Sequence, residues 1–448
     1  MSDQLKVLII SHNPIMTCDS MGKTMQTLFS AFSPDELCQF YIYPSLPDVR
    51  ACGSFYRMTD KEILRSYLFR RAGRELTDGE IGQTEGRLFE SERDESLYRS
   101  RKNKTPIRYL LRDLMWKCAH WFNRDLRAWV EREKPTCIFL APGSAKFIYN
   151  VALKLSRKYK LPIVTYICDD FYFVRGGKGL LECLRLRLLR KKMEETIGRS
   201  AHLIVICREL ETAYSERFGV PATVVMTGSN YPVSNSVRNT ETAERLTYMG
   251  AVRCGRYRSL SEIGAALDAI NAEKGTDYTL DIYTAEKDEA ILAELRKHRS
   301  VRLQGFVSGA EFDRIFHAAQ LLVHTESFAE EDIDEVKYSV STKIANSLAS
   351  GICLFAYGPD CVASMRHLTE NRCAICATAR DDLRARLEEA FENRTLREET
   401  ARNALAVAKR CHDEAKNSAV CRARWAMRQA RKRSAVSPPT AKISASST

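Results

Sequence analysis

Short apolar segments alternate with longer amphipathic segments along most of the chain. Six apolar segments precede residue 230, at 6–11, 39–43, 137–141, 162–168, 202–207 and 222–226. Six more follow, at 245–250, 280–284, 301–306, 321–325, 352–357 and 373–378. This alternation is typical of parallel β-strands joined by crossover helices. It predicts an α/β protein with two tandem Rossmann-like domains that face each other across a cleft.

Changes in pattern predict the domain boundaries. The stretch SNYPVSNSVRNTETAE is polar and has no periodicity, which is typical of a linker. The segment after residue 60 is rich in Arg and Glu and predicts an inserted group of helices. We predict an N-terminal domain over 1–230 with a helical insertion at about 60–130, a linker over 231–243, a second domain over 244–395, C-terminal helices over 396–433 and a disordered Ser/Pro/Thr/Ala tail over 434–448.

The composition of the 448 residues is that of a globular protein kept in the cytosol. No apolar run approaches the roughly 20 residues that span a bilayer, and the first residues lead into a strand without the layout of a signal peptide. The 15 cysteines are an odd number, which argues against a disulfide framework. We therefore expect a cytoplasmic location.

Two basic segments raise the question of an anionic partner, since the net charge is +12. The amphipathic stretch 107–130 either packs on the protein's own sheet or touches a membrane. The C-terminal cluster either binds an anionic surface or is a solvated helix end. It consists of Arg422, Arg424, Arg428, Arg431, Lys432 and Arg433. No aromatic platform accompanies these residues, so we expect no nucleic-acid partner but keep peripheral contact with the inner face of the plasma membrane as a hypothesis.

Gly22-Lys23-Thr24 matches the end of a phosphate-binding P-loop. A P-loop needs another glycine five places before Gly22, and that position is Thr17. The full motif is therefore absent. A strand that ends at Ser11, a polar loop and a helix whose first turn faces an anion remain as the prediction.

The strand ends of the second half predict a diphosphate site. Arg253, Arg256 and Arg258 follow a strand end and offer forked cationic donors that match phosphate oxygens. Ser341 begins a short helix that ends before Gly351. Lys343 lies in its first turn, where a cation is unfavourable against the helix dipole unless an anion binds nearby.

Two other patterns are weaker. Cys373 and Cys376 form one C-x-x-C without a second pair of ligands, so buried thiols are favoured over zinc. Asp332 and Asp334 match a D-x-D metal motif, but any acidic run contains such a match by chance. We expect no metal and no cofactor.

Three segments carry a resemblance to a known family. ERLTYMGAVRCGRYRSL, RLQGFVSGAEFDRIFHAAQLLVHTESF and YSVSTKIANSLASGICLFAYGP, with the tandem layout, resemble the GT-B nucleotide-sugar glycosyltransferases. The bacterial enzymes that build capsular and other surface polysaccharides are the most similar. The resemblance runs from Lys6 to about Thr378 and implies sugar transfer from a nucleotide-sugar donor to a glycan or lipid-linked acceptor.

The resemblance also implies roles for individual residues. The second domain would bind the donor, and the first would bind the acceptor. Gly22 would lie in a flexible loop beside the donor phosphates. Glu326 would be a catalytic residue that lies near the sugar or near the base of the helix that carries Lys343. Asp169 or Asp170 would accept the proton of the acceptor hydroxyl if the reaction inverts configuration. The implied donor-binding residues are Gly22, Arg253, Arg256, Arg258, Gly305, Phe306, Ser341, Thr342, Lys343 and Asn346.

One departure puts the stereochemistry in question. Retaining members usually carry glutamates at the positions of Asn346 and Tyr338. An amide is a weaker acceptor for a ribose hydroxyl than a carboxylate. The alternatives are therefore a nucleotide-sugar epimerase of the same fold or a catalytically inactive sugar-nucleotide-binding protein.

Overall fold

Eight strands form a sheet in the first half of the chain, within a computed structural model that describes residues 5–17, 20–82, 105–174, 179–238 and 243–423. The sheet order is β4-β3-β2-β1-β5-β6-β7-β8. Only the β3–β4 pairing is antiparallel among the described strands. The strands are β1 (Val7–Ser11), β2 (Leu37–Tyr41), β3 (Ser54–Arg57), β4 (Arg74–Glu75), β5 (Cys137–Ala141), β6 (Ile163–Ile167), β7 (Ser200–Val205) and β8 (Ala222–Val224).

Helices cover this sheet, which explains why its central strands are apolar on both faces. Two short 3-10 turns, Pro34–Glu36 and Asp78–Glu80, precede β2 and follow β4. The α-helices are α1 (Ser20–Phe29), α2 (Asp60–Phe69), α3 (Pro106–Cys118), α4 (Arg124–Glu133), α5 (Lys146–Tyr159), α6 (Leu180–Ile197) and α7 (Arg208–Phe218).

A second sheet of six parallel strands has the order β11-β10-β9-β12-β13-β14. Its strands are β9 (Arg245–Met249), β10 (Thr279–Tyr283), β11 (Val301–Gly305), β12 (Leu321–Thr325), β13 (Leu354–Tyr357) and β14 (Ile375–Ala377). Its helices are α8 (Arg256–Lys274), α9 (Glu289–Leu295), α10 (Gly309–Ala318), α11 (Glu330–Val336), α12 (Thr342–Ala349), α13 (Ala363–Glu370), α14 (Leu383–Glu392) and α15 (Arg394–Cys411).

All twelve predicted strands are present, while β3 and β4 were not predicted. β3 is four residues long and β4 is a charged pair at the sheet edge, so neither carries a long apolar run. β4 lies inside the segment predicted to be helical, which corrects that prediction locally. The rest of that segment, at 83–104, lies outside the described residues.

The amphipathic stretch 107–130 is divided between two helices, α3 and α4. Trp116, Trp121 and Trp129 are buried in the core of the first domain, so the packing alternative holds for this part of the stretch. Leu111 and Leu114 are instead exposed. In the described part of the chain, no helix combines the length and apolar character needed to cross a bilayer.

The end of the chain returns to the first domain. Beyond α15, residues 414–423 are helical, and the Ser418 hydroxyl donates to the carbonyl of Leu28 at 2.9 Å. Arg422 forms a forked ion pair with Glu36, with N–O distances of 2.6 and 2.7 Å. Arg422 is therefore paired within the protein, which argues against the alternative in which this residue binds an external anion. Arg424 and the later members of that cluster lie outside the described residues.

Candidate active site in the interdomain cleft

The two sheets meet through contacts at the carboxyl ends of their strands. The Ser339 hydroxyl donates to Asp169 Oδ1 across the domains at 3.3 Å. The Cys207 thiol donates to the carbonyl of Tyr338 at 3.4 Å. Tyr338 also lies against the ring of Phe173, with centroids 6.3 Å apart. The residues that lead into α12 therefore line the cleft.

Lys343 lies in the first turn of α12, as the sequence predicts. Ser341 precedes the helix with extended backbone, and Gly351 follows it with a φ of 76°. The Lys343 ammonium is 4.7 Å above the Tyr248 ring and 3.5 Å from the Tyr248 hydroxyl. Gly250 has a φ of 150°, which side-chain-bearing residues rarely adopt, and a Cβ there would displace the Lys343 ammonium, so glycine suits the point where the lysine crosses the end of β9.

The Lys343 ammonium is buried and lies near a second cation, Arg256. Burial, together with the nearby charge of Arg256, lowers its pKa to about 8, against a partial opposing effect of Glu326. A cation in this condition at the start of a helix is stabilised by an anion from outside the protein.

Arg256 is fixed in position by an ion pair with Glu326. The guanidinium Nε and Nη2 each lie 3.0 Å from a carboxylate oxygen of Glu326, and Nε also donates to the carbonyl of Thr325 at 3.2 Å. Burial alone would raise the pKa of the Glu326 carboxyl, but His324 and Arg256 hold it at about 2. The carboxylate therefore stays ionised as a fixed anchor for Arg256.

Glu326 is 1% exposed and close enough to Lys343 for its charge to raise the pKa of that lysine, which favours the predicted placement near α12 over the one at the sugar. The predicted catalytic role is corrected to a positioning role, because both carboxylate oxygens are engaged by Arg256 beneath the site surface.

The other two predicted arginines, Arg258 and Arg253, have their contacts elsewhere than at Lys343. Arg258 turns towards α11 and pairs with Glu331 at 3.5 Å and Asp332 at 3.4 Å. Asp332 also accepts a hydrogen bond from Ser327 at 2.7 Å, so one member of the D-x-D pattern is occupied by protein contacts. The structure therefore does not place Arg258 with Lys343, which corrects its assignment to the diphosphate.

Arg253 instead lines a small cavity at the end of β9. The cavity has a volume of about 170 Å³. Its lining includes Met249, Gly250, Arg253, Tyr283, Thr284, Glu286, Phe306, Val307 and Phe312. Gly305 ends β11 with a φ of 79°, and the Phe306 ring that follows is 70% exposed. This aromatic face beside a cavity suits the stacking of a planar ring.

Asn346 faces the connection between the domains. Its amide oxygen accepts hydrogen bonds from the Ser229 hydroxyl at 3.2 Å and from the Asn230 backbone at 2.9 Å. This amide oxygen therefore does not serve the predicted contact with a ribose hydroxyl. It instead connects α12 to the residues just before the linker. Thr342 is exposed at the start of α12.

Gly22 lies in the first turn of α1 rather than in a flexible loop, which corrects the prediction for this residue. A Cβ at Gly22 would lie 2.5 Å from the Met16 carbonyl oxygen. The glycine thus allows the helix to pack directly on the loop after β1. The strand end at Ser11 is confirmed.

The two adjacent aspartates have different environments. Asp170 accepts hydrogen bonds from the Tyr172 backbone at 2.9 Å and the Tyr214 hydroxyl at 2.8 Å, so it closes the turn after β6. Asp169 faces the cleft beside Ser339. Desolvation raises the pKa of Asp169, and the Ser339 hydrogen bond only partly opposes this shift. Asp169 is therefore the better candidate for a proton acceptor, and Asp170 is structural.

Sequence reasoning missed three contributors. Tyr248 lies under Lys343, Ser339 faces Asp169, and His324 lies 3.3 Å from Glu326. Tyr248 and His324 are each the next-to-last residue of a buried strand, and this position at a strand end is the one signal that could have singled them out.

Comparisons with known proteins show the fold. The sequence matches no protein-family model and no curated protein. Among solved structures, sucrose-phosphate synthase from Thermosynechococcus elongatus is similar with a TM-score of 0.59 and 12% identity, covering 95% of this chain and 99% of that one. HepE from Anabaena, in complex with UDP and glucose, is similar with a TM-score of 0.60 and 11% identity, covering 94% and 100%.

An α,α-trehalose 6-phosphate synthase from Burkholderia multivorans gives a TM-score of 0.57 and 11% identity, covering 95% of this chain and 98% of that chain. These likenesses extend over both domains. The chain therefore has the two-domain α/β fold called GT-B, as predicted.

Proposed function

We propose that this protein is a glycosyltransferase that moves a sugar from a nucleotide-sugar donor to a hydroxyl of a glycan or lipid-linked acceptor in surface polysaccharide synthesis. The observation that carries the proposal is Lys343, a buried ammonium at the start of α12 that contacts Gly250 at the edge of an aromatic-lined cavity. The fold is shared with structures named as UDP-bound HepE and as sugar-phosphate synthases, which supports a nucleotide-sugar donor.

The reaction breaks the bond between the anomeric carbon and the diphosphate, so negative charge grows on the leaving group. Lys343 and the first N–H groups of α12 would stabilise that charge. Arg256, fixed by Glu326, adds positive charge next to Lys343 without having to reorganise. Phe306 and the cavity beside it would hold the base. These residues provide the electrostatic part of the catalysis.

The test is a donor panel. Purified protein is incubated with UDP-, GDP- and CMP-sugars, with and without acceptor extracts, and the released nucleotide and the sugar product are identified. The expected result is acceptor-dependent release of one nucleotide. An altered sugar still joined to its nucleotide would identify an epimerase, and binding without turnover of any donor would identify an inactive binding protein; either result would contradict transfer.

Asp169 is expected to act on the acceptor hydroxyl. Because its carboxylate faces the cleft and has a raised pKa, Asp169→Asn should lower kcat by about 10²–10⁴-fold, the usual contribution of a general base, while donor affinity stays the same. Steady-state kinetics and donor titrations measure both quantities. Asp170→Asn is the matched control and should mainly lower thermal stability, since Asp170 closes a turn.

A kcat within about threefold of wild type for Asp169→Asn would exclude the base role. In that case the leaving phosphate oxygen would accept the proton, as expected if the reaction retains configuration, and Asp169 would only position the acceptor.

Donor binding should weaken in alkaline solution. The Lys343 pKa in the empty site is about 8, and the charged form binds the diphosphate, so the pKa rises on binding. Affinity is then nearly constant below this pH and falls by up to about tenfold per pH unit above it. Calorimetric titration with the nucleoside diphosphate between neutral pH and pH 10 measures the slope. Lys343→Ala should abolish this slope, and an identical slope in that variant would assign it to another group.

A further inference from the structure

Three helices of the first domain expose large apolar side chains on their outer surface. The exposed fractions lie between 46% and 91%. We call this surface the leucine face; it consists of Leu64, Leu68 and Phe69 of α2, Ile107, Leu111 and Leu114 of α3, and Leu180, Leu181 and Leu184 of α6. Single exposed apolar residues are common, but a concentration of this kind marks an interaction surface.

The three helices lie side by side, with α3 in the middle. On one side, the Tyr67 hydroxyl of α2 donates to the Met115 carbonyl of α3 at 2.6 Å. On the other side, the Arg185 guanidinium of α6 stacks 4.8 Å above the Tyr109 ring of α3. The exposed residues follow helical spacing, for example 107, 111 and 114, so they form stripes opposite the buried ones.

The buried stripes already satisfy the packing of these helices on the domain. Trp116 of α3 is 1% exposed, and its indole donates to Asp60 at 2.9 Å. Leu189 of α6 and Ile63 of α2 are also buried. The leucine face is therefore additional apolar surface that the core does not use.

The charges around the face favour an anionic partner. The acidic groups of these helices are engaged within the protein. Asp60 pairs with Arg112 at 3.0 Å, Asp113 accepts from the Phe147 backbone at 3.0 Å, and Glu182 pairs with Arg185 at 2.5 Å. Exposed basic residues stand among the leucines; they are Arg65, Arg70, Lys117, Arg187 and Lys191. Leucine with interspersed Arg and Lys is the composition of helices that lie in the interface of an anionic bilayer.

The face adjoins the cleft on the first-domain side. The Tyr109 hydroxyl of α3 lies 3.5 Å from the Ser144 hydroxyl, in the loop after the carboxyl end of β5. α6 follows the loop that carries Asp169 and Asp170. A partner surface bound to the leucine face would therefore lie next to the strand ends that we assign to acceptor binding.

We propose that the leucine face docks the protein on a bilayer rich in anionic lipids, with the apolar side chains in the interface and the basic residues at the head groups. The docking itself requires only this surface. The further step, in which docking brings the active site to a lipid-linked acceptor, rests on the proposed function.

The test is vesicle binding by the full chain. Wild-type protein is expected to cosediment with vesicles of phosphatidylcholine and phosphatidylglycerol, and much less with phosphatidylcholine alone. The variant Leu68→Glu/Leu111→Glu/Leu181→Glu should reduce the partition coefficient by about tenfold or more, because three interfacial anchors are replaced by anions. All three residues are exposed, so thermal stability should be unchanged.

A control with the same change of charge is Ala379→Glu/Ala385→Glu/Thr395→Glu, at exposed positions of the second domain. This variant should bind vesicles like wild type. Equal binding by the two triple variants, or no binding by wild type, would overturn the proposal. A wild-type dimer that becomes monomeric only in the leucine variant would show that a second copy covers the face, and would overturn it as well.

Hydrogen exchange locates the contact. Peptides from α2, α3 and α6 should be protected by the anionic vesicles, and protection confined to residues 424–448 would contradict the proposal. Nucleotide release in the absence of vesicles should be equal in wild type and the leucine variant. Loss of turnover with every donor would refute the proposed function while leaving the vesicle result intact.

Discussion

Lys343→Ala should lower kcat/KM for the nucleotide-sugar by about 10²–10³-fold, the usual cost of removing one donor that stabilises developing charge in a closed site. The ammonium lies over Tyr248 and Gly250 at the start of α12, where it can meet a diphosphate together with the helix N–H groups. Burial, with the charge of Arg256 nearby, lowers its pKa to about 8, so a bound anion would favour the charged form. The measurements are initial rates with the donor identified by the panel and the Kd of the nucleoside diphosphate.

Two further variants control this experiment. Lys297 is an exposed lysine of the same domain that pairs with Glu294, and Lys297→Ala should retain wild-type rates. Gly250→Ala keeps the ammonium but displaces it and strains the backbone at a φ of 150°, so it should reproduce part of the loss. Wild-type kcat/KM in Lys343→Ala would remove the basis of the proposed donor site.

Glu326→Ala should destabilise the second domain by about 3–5 kcal/mol, the usual cost of leaving one charge of a buried ion pair without its partner. Glu326 is 1% exposed, and the Arg256 side chain is 17% exposed. The variant would leave the guanidinium largely buried without its carboxylate. Chemical unfolding followed by circular dichroism measures the loss, and the Kd for the nucleotide should rise because Arg256 loses its orientation.

A double variant separates stability from function. Arg256→Met/Glu326→Leu removes both charges, so much of the stability of Glu326→Ala should return while donor binding stays weak. Glu311→Ala breaks the exposed Glu311–Arg314 pair of the same domain and should leave unfolding unchanged. If the double variant bound donor like wild type, the positive charge at Arg256 would have no part in the site.

The elements near the site could be predicted because each depends on neighbouring residues. The last four residues of β9 and all five of β12 are buried and mainly apolar, which suits a sheet covered on both faces. Gly351 adopts the left-handed conformation that ends α12, and Lys343 follows Ser341 closely enough to lie in the first turn. β3 and β4 escaped prediction because pairing with a neighbouring strand, β2 for β3 and β3 for β4, rather than their own composition makes them strands.

The sequence alone determined the two sheets, the order of their strands along the chain and the helix that carries Lys343, since apolar spacing and glycine positions act over a few residues. Only the tertiary structure decided the partners of the charged groups. Arg256 pairs with Glu326, which lies 70 positions further along the chain. Arg258 pairs with residues of α11. Asp169 faces the cleft, whereas Asp170 closes a turn. Such pairings depend on which strand ends become neighbours and which side chains lose water, and both are properties of the assembled fold.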